Sequence, residues 1–123
     1  FYEGEIAASI LLESAQGGGV LSTADLRDYR PEWVTPLGQG YRGHTLHEIP
    51  PNGQGIAALI AVGILQHFDV AAMPVDSVRS QHLQIESMKL AFADAYRYVA
   101  DPRSMECTPE EMLAPAVQNN FKR

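Results

Sequence analysis

The sequence has a single cysteine, Cys107, among 123 residues. One cysteine closes no intrachain disulfide, and no metal site can be built from cysteines alone. Long apolar runs are also missing. The longest, Ile56 to Leu65, spans about ten residues and contains Gly63, whereas crossing a bilayer takes roughly 20. There is no cluster of Lys or Arg. The 9 basic residues are scattered among 15 acidic ones, for a formal charge of −6. Phosphate backbones and anionic membrane surfaces both select clustered cations, so neither nucleic acid nor membrane is expected as a partner. No two of the four histidines have the i, i+4 spacing of a helical zinc site. His44 and His47, on a strand, point to opposite faces. A basic, signal-like start is absent too. The chain opens Phe1-Tyr2-Glu3, without Met and in the middle of a helical pattern, which predicts a piece cut from something longer.

What is present is the composition of a core-forming globular chain, 46% apolar and 20% charged. Its length suits one ordinary domain, and no internal boundary is expected. Ile6, Ala7, Ile10 and Leu11 carry the 3.6-residue signature of a helix over 3–16, stopped by Gly17-Gly18-Gly19. Ser22 and Asp25 have the spacing of a helix cap, which explains both without a nucleophile. Trp33–Gln39 and His44–Ile49 read as short strands joined by Gly40-Tyr41-Arg42-Gly43, with Pro36 demoting the first to an edge. Residues 56–68 form a helix apolar nearly all round, which should be buried on most sides. Val70–Pro74 is a linker. Asp76 or Ser77 then caps a long helix to about Val99. Its main stripe is Ile85, Met88, Phe92, Ala95 and Val99, widened by Leu83, Leu90 and Ala91. Thr108-Pro109-Glu110-Glu111 starts a last, short helix. The fold class is α+β, mostly helical with a short hairpin.

Pro50-Pro51-Asn52-Gly53-Gln54-Gly55 raises a question of chemistry. Gly53-x-Gly55-x-x-Ala58 has the spacing of a dinucleotide-binding fingerprint, and Asp76 lies near where a ribose-binding acid would fall. The context is wrong. Two prolines interrupt the strand-to-helix turn, the strand belongs to a hairpin, and 70–74 is too short and proline-marked to be a buried parallel strand. Glycines that let the chain turn sharply into a deep helix explain the loop better, with Asn52 as a turn or capping side chain.

Other chemistry is sparse. Glu86 with Lys89 and Asp94 with Arg97 are i, i+3 pairs, of the kind that usually supports a helix surface. Cys107 has no local base or cationic neighbour to activate it. No residue is assigned a catalytic, cofactor-binding or metal-binding role, and no cofactor is expected.

Taken in order, the motifs resemble the γ-glutamyltranspeptidase family. They are Phe1-Tyr2-x-Gly4-Glu5-Ile6-Ala7, then Gly18-Gly19-x-Leu21 with Asp25-Leu26-x-x-Tyr29, then Pro36-Leu37 and Tyr41-Arg42-Gly43. The Pro50-Pro51 glycine loop, Ile64-Leu65-x-x-Phe68-Asp69 and His82-Leu83 follow. Glu86-x-Met88-Lys89-Leu90-Ala91-Phe92-Ala93-Asp94 and Asp101-Pro102 complete the series, which covers about residues 1–115. The resemblance implies a fragment of an N-terminal-nucleophile (αββα) hydrolase, from the later part of its large subunit. In that family a precursor cleaves itself and exposes a threonine, whose own α-amine serves as base for γ-glutamyl transfer or hydrolysis. The nucleophile would lie beyond Arg123 and the carboxylate-binding arginine before Phe1. Thr23, Thr35, Thr45 and Thr108 match no cleavage motif, so the chain alone is expected to be inactive. Many transpeptidases have serines and paired glycines after the prolines. Asn52-Gly53-Gln54-Gly55 looks more like the hydrolase- and acylase-like branches. The expected partner is the rest of the same enzyme, or another copy of the chain, packed on helices 56–68 and 78–99. The competing readings are a stand-alone interaction module reusing the fold fragment, and a nucleotide-binding protein.

Overall fold

Three glycines end the first helix, α1 (Glu5–Gln16), in the computed structural model of the chain, which describes residues 1–115. Gly18 takes the left-handed conformation (φ 75°). Its N–H donates to the Ala15 carbonyl at 3.2 Å, and the Gly19 N–H to that of Ser14 at 2.7 Å. These are the two bonds of a Schellman stop, which needs a residue at ease with positive φ. The short helix α2 (Thr23–Asp28) follows. Ser22 caps it, and Asp25 closes the reciprocal capping box with 2.7 Å to the Ser22 N–H. The Tyr2 and Tyr29 rings meet at a tilt of 39°, with centroids 5.4 Å apart, linking the end of α2 to the start of α1. These elements belong to one of two compact units, Phe1–Trp33; the other begins at Val34.

The second unit begins with an antiparallel hairpin, β1 (Leu37–Tyr41) and β2 (His44–Glu48), in the register Leu37↔Glu48 to Tyr41↔His44. The first strand was expected from Trp33. It starts instead after Pro36, whose missing N–H ends the ladder there, and Trp33 is fully exposed. The turn is tighter than expected. Only Arg42 and Gly43 connect the strands, with φ of 48° and 83°. Positive φ at both central residues is what a type I′ turn requires, and its twist matches that of the strands.

Helix α3 spans Gly55–Leu65 and is buried nearly all round, as its composition predicts. Ile56, Leu59 and Ile60 are wholly inaccessible. The α-helix ends before Phe68 because the chain tightens into i→i+3 bonds: His67 N–H to Ile64 and Phe68 N–H to Leu65. Arg42, from the hairpin turn, then donates to the Phe68 carbonyl at 2.9 Å and to Asp69 Oδ1 at 3.2 Å. A guanidinium at a helix exit meets both the free carbonyls and the negative end of the dipole. The linker contains one 3₁₀ turn, Val70–Ala72.

Helix α4 (Val78–Tyr98) starts at Ser77, whose hydroxyl accepts from the Ser80 N–H. Asp76 sits one residue outside at φ 58° and accepts from Gln81 at 2.7 Å. The orientation of α4 departs from the sequence expectation. The side facing α3 carries Ser80, Ser87, Ala91 and Ala95, all buried. Ile85 and Met88, predicted at the centre of the buried stripe, are 56% and 39% exposed. The reason lies in α3. Its own contact residues include Ala57 and Ala61, and small residues on both helices permit close approach and tight packing. Helix α5 (Pro109–Met112) closes the core with Met112 and starts on the expected Thr108–Glu111 capping box.

Candidate functional site

The glycine loop sits between β2 and α3. Pro51 is buried and Asn52 exposed. Gln54 occupies the N-cap without a side-chain bond, so Asn52 is a turn residue and not a cap. A Cβ on Gly55 would lie 2.9 Å from the Glu48 carboxyl carbon and 3.0 Å from its Cβ. The space an anion would need near the first turn is therefore taken by a carboxylate of the chain itself. That carboxylate is favourably placed against the positive end of the helix dipole. The next element after α3 is helical, and the described residues form one two-stranded antiparallel sheet. The βαβ context of a dinucleotide fold is thus missing among them.

The second cluster is a hollow of about 280 Å³ lined by Asp94, Tyr98, Cys107, Glu111 and Met112. The pKa of Asp94 is pushed up by burial. It makes no ion pair with Arg97 among the described residues; the Arg97 guanidinium lies 5.3 Å from the Tyr98 ring centre instead. Burial also pushes the Cys107 thiol up, helped by the carboxylates of Glu111, Glu106 and Asp94. These neighbours hold the sulfur in its unreactive, protonated form, the opposite of what activates a cysteine. The Glu86–Lys89 pair forms at 2.8 Å on the α4 surface. No group of three or more His, Cys, Asp or Glu side chains is placed to hold a metal ion among the described residues. None of the helices searched is long and apolar enough to cross a membrane.

Among the described residues these motifs serve capping, turning and packing, and the identity of the chain comes from comparison. Residues 1–123 match the γ-glutamyltranspeptidase family along their whole length. The chain belongs to that family. A glutathione hydrolase-like proenzyme of Bacillus subtilis is 30% identical over 113 residues, covering 92% of this chain and 22% of the relative. A glutathione hydrolase proenzyme of Escherichia coli is 32% identical over 103 residues, covering 83% and 18%. Among solved structures, a cephalosporin acylase from Bacillus halodurans superposes with a TM-score of 0.81 at 43% identity, covering 98% of this chain and 22% of that one. The chain thus spans about a fifth of the length of these relatives.

One feature is not legible from motifs. The outward face of α4 carries a groove of about 620 Å³ lined by Ile85, Met88, Lys89, Phe92, Ala93 and Tyr96. Helical periodicity finds this stripe but not the direction in which it points.

Proposed function

We propose that these residues form part of the frame of an enzyme that transfers or hydrolyses γ-glutamyl or related acyl amides. The segment corresponds to the later part of the large subunit of an N-terminal-nucleophile hydrolase of αββα architecture. It carries no catalytic residue of its own. The nucleophile is a threonine outside the 123 residues, freed by self-cleavage of a precursor, and its α-amine acts as the base. The observation that carries this reading is the match along the whole chain to the family, together with similarity over 92% of the chain to a proenzyme of which it spans 22%. The 43% identity to an acylase, together with Asn52-Gly53-Gln54-Gly55 in the loop, favours hydrolysis of an acyl amide over transfer from glutathione.

The test is an assay of two proteins. The purified 123-residue chain is expected to release no product from a γ-glutamyl anilide or an acyl amide. The complete polypeptide is expected to cleave itself and hydrolyse one of these. Turnover by the chain alone, or a complete polypeptide that never processes, overturns the reading.

A further inference from the structure

Helix α4 has two apolar sides, and the unit covers one. The side toward α3 is filled by Ser80, Ser87, Ala91 and Ala95. About a third of a turn away lie Val78, Ile85, Met88, Phe92 and Tyr96, with exposures of 88%, 56% and 39% for the first three and 77% for Tyr96. Phe92 and Tyr96 stack at 5.5 Å and form one wall of the groove. A helix that is apolar on two faces belongs in the interior of a layered structure, between two packing partners. The groove offers almost no directed hydrogen bonds, which a specific small-molecule site would need. Lys89 is its charged member, and it is already paired with Glu86.

We infer that the outward face of α4 is the seat of a second packing layer supplied by further polypeptide of the same enzyme, so that α4 is an interior helix of the complete protein. The inference rests on the proposed function above. Two observations select this occupant. The acylase that superposes on the chain has this unit as only 22% of its length, so most of its polypeptide lies outside the unit and is available to cover it. A second copy of the chain would bring another formal charge of −6 to the same place, and like net charge opposes association.

The experiment measures thiol accessibility in a Cys107→Ser background. Tyr96→Cys and Ile85→Cys report the outward face. Val75→Cys, 90% exposed and outside α4, is the control. Maleimide labelling is compared in the 123-residue chain and in the complete polypeptide. The expected result is rapid labelling of all three in the chain alone. In the complete polypeptide, Tyr96→Cys and Ile85→Cys should slow by ~10-fold or more while Val75→Cys does not, because reaction then requires local opening. Equal labelling in both proteins overturns the inference. Concentration-dependent protection in the chain alone also overturns it, in favour of a second copy. Free labelling at Tyr96→Cys in a complete polypeptide that self-processes and hydrolyses its amide sinks the inference and leaves the proposed function standing. A complete polypeptide that neither processes nor turns over removes both.

Discussion

At Gly55 a side chain would meet Glu48, and this contact explains the residue better than a bound phosphate does. Gly55→Val is expected to destabilise the chain by ~1–3 kcal/mol through overpacking. At Gly53 a Cβ would meet nothing within 4 Å, so Gly53→Ala should stay within about 0.5 kcal/mol of wild type. Adding Glu48→Ala to Gly55→Val should recover part of the loss, since it removes the carboxylate from the contested space. Urea denaturation of the four proteins decides it; a loss that Glu48→Ala does not reduce would refute the steric account. Asp101 gives a second prediction at this scale. Arg103 accepts no proton from it but donates to it three times, through its backbone N–H at 2.9 Å and its guanidinium at 3.0 and 2.8 Å. These bonds hold the carboxyl at about 2, below its ordinary 3.8. A depressed folded pKa contributes stability above the unfolded value, which is lost as the pH falls from about 4 to about 2. An NMR titration of the Asp101 carboxyl should show this, and Arg103→Ala, which removes the guanidinium bonds but keeps the backbone one, should raise the midpoint part of the way toward 3.8. A midpoint unchanged by Arg103→Ala would assign the shift elsewhere.

At the scale of the element, α3 and α4 carry isoleucines of opposite consequence. Ile60 is wholly buried and Ile85 more than half exposed. Ile60→Ala is expected to cost ~2–5 kcal/mol, by lost transfer energy and the cavity left behind. In the 123-residue chain Ile85→Ala should change stability by less than about 0.5 kcal/mol. Similar losses at the two sites would mean that α4 is turned the other way. Element existence was legible beforehand. The capping boxes at Ser22–Asp25 and Thr108–Glu111, the triple-glycine stop and the all-apolar stretch 56–65 are local signals, and each formed where its chemistry demanded. The first strand was misplaced because Trp33 and Val34 have strand propensity, while Pro36 and the two-residue turn fix where pairing can begin.

For the whole molecule, the exposed α4 face bears on the proposed function. If α4 is interior in the complete enzyme, Ile85→Ala should become costly there, approaching the ~2–5 kcal/mol of a core truncation. Thermal unfolding of the complete polypeptide checks this. An unchanged midpoint would place the face in solvent. Self-processing of the same variant separates loss of packing from loss of the nucleophile, which the proposed function places outside these residues.

The sequence by itself determined the kinds of element, their caps and stops, and the family. These depend on neighbours in the chain or on composition. Only the tertiary structure decided which side of α4 is buried. Its large residues, Ile85, Met88 and Phe92, share one periodic stripe with Ala95, and periodicity does not tell that burial centres instead on Ser87, Ala91 and Ala95. The direction was set by α3, whose alanines admit a close helix and exclude bulky side chains. A preference of that kind is a property of two surfaces meeting, and neither helix encodes it alone.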